Sequence, residues 1–177
     1  AVQTALSMQG VRLRGVHCHI GSQIFDIEPF EHAAELMLGF IADVRDQTGC
    51  ELEILDLGGG FGIKYLPEHD PVEYDRYMQR VARTVQRVSA ARGVKTPFIV
   101  IEPGRSIAGP AGVTLYTAGA VKEIPGVRTY VSIDGGMCDN PRYILYRSEY
   151  EAMVANKASQ PKTRTVTLAG KCCESGD

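Results

Sequence analysis

An acid, a turn and a guanidinium stand together where the apolar run Phe98-Ile99-Val100-Ile101 stops, in Glu102-Pro103-Gly104-Arg105-Ser106. Two more stretches share that form, a β-prone run ending in glycine and polar groups. They are His17-Cys18-His19-Ile20-Gly21-Ser22-Gln23 and Asp56-Leu57-Gly58-Gly59-Gly60-Phe61-Gly62. Loops that follow strands are where α/β proteins carry their chemistry, and three loops of one design make chance a poor explanation.

The glycine run lets backbone N–H groups approach an anion with no side chains in the way. It reads either as a phosphate cradle or as a plain tight turn. It is not a dinucleotide fingerprint, because Ile63 stands where the third glycine of G-x-G-x-x-G belongs, and Lys64-Tyr65 is not the Lys-Ser/Thr pair of a nucleotide loop. Ser22 and Gly104 can add a hydroxyl and an N–H from the neighbouring loops. Glu102 reads by itself as the partner of Arg105. Beside a phosphate cradle it reads as a carboxylate set against a heterocyclic nitrogen, which stays protonated and makes the ring an electron sink, the requirement of pyridoxal phosphate. His17 and His19 project to one side of a strand. Two nitrogens with no further Cys or His nearby are an incomplete set, so no metal is assigned, and His17 more than His19 reads as a buried histidine bonded to backbone. Cys173-Glu174 reads as a thiol placed to deliver a proton or as a small packed residue.

The elements that must position these groups follow from periodicity. Val11 to Ile20 predicts a strand, and Phe30, Ala34, Met37, Ile41 and Val44 predict a helix from Pro29 that stops before Gly49. Leu52 to Leu57 is the next strand. Asp70-Pro71 predicts the cap and first turn of a helix that buries Tyr74, Met78, Val81, Val85 and Val88 and ends at Gly93. With the strand Phe98–Ile101 this is a strand-helix-strand-helix-strand series, the pattern of a parallel sheet covered by helices. Past Gly112 the β-branched stretches Val113–Tyr116, Arg128–Ile133 and Thr163–Leu168 announce a second, β-rich domain.

Five motifs in order, H-x-H-I-G-S-Q, L-D-L-G-G-G-F-G, E-P-G-R, D-G-G-M-x-D-N-x-R and C-E-S-G-D, span nearly the whole chain and resemble the diaminopimelate decarboxylases. Those are pyridoxal phosphate enzymes built like alanine racemase and eukaryotic ornithine decarboxylase, with an eight-stranded α/β barrel and a β-domain. The resemblance implies an α/β fold in which residues 1–108 are the last strand-helix units of a (β/α)8 barrel and 109–177 begin the β-domain. It implies that His19 lies against the cofactor ring, and that Ser22, Gly60, Glu102, Pro103, Gly104 and Arg105 hold its phosphate and ring nitrogen. Arg105, Arg142 and Tyr146 would meet the substrate, Glu174 its distal ammonium, and Cys173 would donate a proton in the active site of a neighbouring subunit of a homodimer. An arginine for a carboxylate and a glutamate for an ammonium suit the distal end of diaminopimelate.

Departures sharpen the resemblance. Ornithine decarboxylases carry an acid after the tyrosine that matches Tyr146, where Arg147 stands here, and Cys172 takes the place of a larger residue. The lysine that carries the cofactor in this family would precede residue 1, and a late tyrosine would follow Asp177. Lys64 and Lys122 have the wrong surroundings to replace it. The chain opens in mid-pattern and is expected to be an internal fragment, inactive alone.

Composition bounds the rest. A net charge of −2 over 177 residues, with 44% hydrophobic and 23% charged, argues against nucleic acid or an anionic membrane as partner and for a small-molecule enzyme. Five scattered cysteines, an odd number, imply a reducing compartment, and without an apolar run of spanning length the protein is expected in the cytoplasm. The rival expectations are a decarboxylase of the same architecture acting on ornithine, arginine or carboxynorspermidine, and a non-catalytic relative serving as a binding or regulatory module.

Overall fold

Leu55 is fully buried in the middle of a parallel sheet, and the elements around it are arranged to cover it. The computed structural model describes all of residues 1–177. After a short helix α1 (Val2–Ser7), the chain runs β1 (Gly15–His17), α2 (Glu28–Thr48), β2 (Ile54–Asp56), α3 (Tyr74–Arg92) and β3 (Phe98–Val100). Both neighbours of β2 are parallel to it, with His17 and Val100 in register with Asp56. All three strands therefore end level, and their following loops emerge at one end. The sheet is three strands wide and open, with β1 and β3 as its edges.

Helix α2 begins with Pro29 in its first turn and stops at Gly49, whose φ of 70° is the left-handed conformation that glycine adopts without a Cβ penalty. Phe30, Ala34, Leu38, Ile41 and Val44 form its buried stripe. Tyr77, Val81, Val85 and Val88 form that of α3. These two stripes, with Leu52, Leu55, Leu57 and Phe61, make one core. Within it Phe30 stacks on Phe61 at 4.9 Å while Tyr77 meets both edge-on. Arg45 of α2 donates to the carbonyls of Gly93 and Arg92 at 2.6 and 3.2 Å, so a cation closes the C-terminus of α3. Arg80 pairs with Glu31 and Glu28, and Arg87 with Glu35, along the outer seam of the helices.

Several expected boundaries move: of Thr163–Leu168 only the end is strand, in Thr167–Ala169, and Leu52–Leu57 is strand only over Ile54–Asp56, where its partners pair with it. β1 holds three residues rather than ten, because beyond His17 only the Cys18 N–H stays on the ladder, donating to Asp56 O at 2.9 Å, before the chain leaves to form a loop. Asp70-Pro71 does not cap α3. The helix starts at Tyr74, with Glu73 as an extended N-cap, because Val72 and Tyr74 must both pack on the core, Tyr74 with its ring 5.2 Å from Phe61. Val113–Tyr116 forms no strand; Val113 and Leu115 are exposed and no strand pairs with them.

After α4 (Gly104–Ala108), contacts divide the chain into Ala1–Lys64 with Glu68–Ala111, and Tyr65–Pro67 with Gly112–Asp177. In the second unit β4 (Ala118–Ile124) and β5 (Arg128–Ile133) form a hairpin whose turn has Gly126 at φ 73°. Beyond the helix α5 (Arg142–Tyr146), β6 (Thr167–Ala169) pairs with β5 in parallel.

Candidate active site

The glycine run is what lets the three strand-end loops of the first unit close on one another. A Cβ on Gly58 would strike the Cys18 carbonyl at 2.6 Å, one on Gly59 would overlap the Glu102 carbonyl, and one on Gly60 the Gly21 carbonyl. Gly58 and Gly60 also have positive φ, 67° and 99°. Backbone bonds stitch the same loops: Glu102 N–H to Gly58 O at 2.8 Å, and Ile24 N–H to Gly60 O at 2.9 Å. The glycines thus serve loop packing whatever else they bind. Tyr77 reaches from the core to hold the first loop, its hydroxyl donating to Ile24 O at 3.1 Å.

Into this frame the chain sets four polar side chains, His17, His19, Asp56 and Glu102. His19 is exposed, and its Nδ1 accepts the Gly59 N–H at 3.2 Å, so a neutral ring carries its proton on Nε2. His17 was expected buried and bonded to backbone; instead its side chain is half exposed and its Nε2 lies 3.5 Å from Glu102 Oε2. The reversal follows from placement: His17 ends an edge strand beside Glu102, whereas His19 stands next to Gly58 and Gly59, within reach of the Gly59 N–H. Asp56, in register with His17, accepts the Gly58 N–H at 2.9 Å. Donor atoms of His17, Asp56 and Glu102 all lie within 4.8 Å of one another. Two acids beside one histidine replace the two converging histidines weighed from the sequence.

Ser22 is exposed at the rim. A Cβ on Gly104 would meet nothing within 4 Å, so the space over this residue is open, although its N–H donates to Glu102 O at 2.8 Å. Pro103 is the N-cap of α4, with Gly104 and Arg105 in its first turn. Arg105 Nη1 donates to Gln23 Oε1 at 3.4 Å. Gln23 also clamps Ile63, giving Nε2–H to its carbonyl at 2.6 Å and taking its N–H at 3.2 Å. This positioning role for Gln23 went unassigned in the sequence. Its signal was the glutamine that closes H-x-H-I-G-S-Q. Ser106 is similarly held, by the Tyr74 hydroxyl.

In the second unit Arg142 and Tyr146, one helical turn apart on α5, pack with the guanidinium 5.4 Å from the ring centre. Arg142 Nε is buried without a hydrogen-bond partner. Cys173 and Glu174 are exposed. Glu174 Oε1 accepts from the N–H and hydroxyl of Ser175 at 2.9 and 3.2 Å, which bends the loop back on itself. The carboxylate of Asp177 accepts the N–H of Cys172 at 2.6 Å and that of Met137. These two bonds hold its carboxyl below the ordinary Asp value of 3.8. Asp177 too was quoted from the sequence only as part of C-E-S-G-D.

Residues 1–109 match the family model of the pyridoxal-dependent decarboxylases' pyridoxal binding domain, and the chain belongs to that family. Within it the similarity is to diaminopimelate decarboxylases. Those of Bacillus subtilis and Bacillus methanolicus are 47% and 48% identical over all 177 residues, matching 40% and 41% of their own lengths. The crystal structure of the M. jannaschii enzyme in complex with L-lysine superposes on 99% of this chain and 39% of its own, with a TM-score of 0.82 and 34% identity. The chain spans about 40% of the length of the curated relatives it matches. No helix is long and apolar enough to cross a membrane.

Proposed function

We propose that the full-length protein carrying this chain removes CO2 from meso-2,6-diaminopimelate to give L-lysine. The observation that carries the reading is 46–48% identity to three diaminopimelate decarboxylases across every residue of the chain. In this reading residues 1–108 are the last three strand-helix units of a (β/α)8 barrel, residues 109–177 open a β-domain, and the enzyme works as a homodimer in the cytoplasm.

The residues present fit pyridoxal phosphate. When bound, that group supplies a sink for the electron pair left behind as the α-carboxylate departs. Glu102 keeps a proton on its ring nitrogen, and His17, 3.5 Å away, steadies the carboxylate. His19, its rotation fixed by the Gly59 N–H, would pack against the ring. Ser22, Gly60 and the Pro103-Gly104 turn would hold the phosphate, with open space over Gly104. Arg105, aimed by Gln23, binds the substrate carboxylate. Arg142 takes the distal carboxylate, which supplies a partner for its buried Nε, and Tyr146 shapes that end of the site. Glu174 takes the distal ammonium, and the Cys173 thiol returns a proton to the α-carbon in the neighbouring subunit's site.

The test is CO2 release by the full-length protein with added pyridoxal phosphate. Diaminopimelate should be turned over and ornithine, arginine and carboxynorspermidine should not; preference for any of those three, or bound cofactor without turnover of any, defeats the assignment. Cys173→Ala should slow turnover about a hundredfold or more while leaving cofactor affinity nearly unchanged. Equal rates would remove Cys173 from the chemistry.

A further inference from the structure

Cys138 and Cys172 stand on the loops that leave β5 and β6. Those strands are parallel, with Ser132 beside Ala169, so both loops start from the same end. One backbone bond and two bonds from backbone N–H groups to a carboxylate then hold them together. Lys171 N–H donates to Gly135 O at 3.0 Å, and the Asp177 carboxylate takes the N–H of Met137 with one oxygen and that of Cys172 with the other. The anchors fall on the residue before Cys138 and on Cys172 itself. Their sulfurs are 2.9 Å apart, and both thiols are free. A disulfide needs sulfurs at about 2.05 Å, so closing the pair requires a movement of about 1 Å between loops already fixed at their bases.

We propose that Cys138 and Cys172 are a reversible disulfide site, oxidised by a low-molecular-weight disulfide, and that closing the bond locks the loop bearing Cys173. Cys138 is the more exposed of the two and reacts first. Its thiol gives a proton to solvent and the thiolate attacks one sulfur of the oxidant, forming a mixed disulfide and expelling one thiolate. Cys172 then loses its proton, attacks the Cys138 sulfur and expels the second thiolate. Two protein thiols lose two electrons and the oxidant is reduced to two thiols. The order agrees with the electrostatics: the Cys172 thiol is pushed up to about 11, first by its hydrogen bond with Cys138, then by burial and the Asp177 charge. The first step removes the Cys138 thiol and with it the largest of those causes. Direct bonding between Cys172 and Cys173 is a poor competitor, since adjacent residues bridge only with strain. In a reducing compartment the pair rests as thiols and closes under oxidative load. The effect on turnover, unlike the bond itself, rests on the proton-donor reading of Cys173.

The experiment treats the full-length protein with oxidised glutathione, alkylates the remaining thiols and maps the peptides, with CO2 release measured in parallel. The expected product is a cross-linked peptide joining Cys138 to Cys172 with Cys173 alkylated, together with a fall in turnover of about a hundredfold that dithiothreitol reverses. Cys138→Ser and Cys172→Ser should each abolish the cross-link and keep turnover in the oxidant. Alkylation of both cysteines, persistent glutathione on either, or a cross-link through Cys173 would overturn the site. A Cys138–Cys172 bond with unchanged turnover would overturn the coupling to Cys173. A reduced protein that releases no CO2 but still forms the bond would leave the site standing and bring down the functional reading alone.

Discussion

Glu102 shows how one side chain acquires its role from neighbours. Alone in the sequence it is a natural mate for Arg105, three residues on, yet it meets His17 while Arg105 is drawn to Gln23. The pairing depends on strand register, since His17 comes from β1 and Glu102 from the end of β3, with Asp56 between them. Sequence reasoning could name the residues but not see the register, and it therefore chose the wrong histidine as the one bonded to backbone. In the proposed reading, Glu102→Gln keeps the shape and removes the charge that would hold a proton on the cofactor's ring nitrogen. Turnover by the full-length enzyme should fall about a hundredfold or more, with cofactor still retained, as measured by steady-state rates and by cofactor absorbance. Asp177 offers a second test, with a definite sign. Its carboxyl is lowered in the folded chain, so the order it gives the two cysteine loops is complete above the ordinary value of 3.8 and is lost as pH falls through the lower folded value. Amide exchange at Met137 and Cys172 should stay slow at pH 5 and quicken only below about pH 4; protection that fades already at pH 6 would assign the order to another group.

At the scale of elements, the helices were legible because their signals are local and redundant. The apolar stripes of α2 and α3 repeat over five turns, and both helices stop at a glycine with positive φ. The strand ends were less so, because a three-residue strand is defined by its partners and not by its own alternation. Val113–Tyr116 has the composition of a strand and no neighbour to pair with, whereas Arg128–Ile133, flanked on both sides, forms over its whole expected length. The glycine run reads from the sequence as either a phosphate cradle or a tight turn; the duty the structure shows, admitting the Glu102 and Gly21 carbonyls, requires knowing which loops adjoin. Gly59→Ala should therefore cost the site its geometry even if no ligand touches that residue. The full-length variant should fold, lose affinity for pyridoxal phosphate about tenfold or more, and show it as reduced cofactor absorbance after dialysis. Unchanged retention would mean that the loops can part without harm.

For the whole molecule, the parallel sheet is the feature with the widest reach. β1 and β3 each have one bare edge, and Phe98 on β3 is 72% exposed, so the separated 177 residues present strand templates to one another. Sedimentation of the isolated chain should show association that rises with concentration, and a strictly monomeric species at high concentration would contradict it. The level ends of the three strands also divide the sheet into two regions with different freedom to change. The turns that enter β2 and β3, Gly49–Glu53 and Gly93–Pro97, lie at the far end from the glycine run, and sequence can be inserted there without shifting His17, Asp56 or Glu102. At the other end a single added residue separates carbonyls and glycines that now touch. Length variation among descendants of this chain is thus expected to accumulate at the entrances to its strands and to be excluded from their exits.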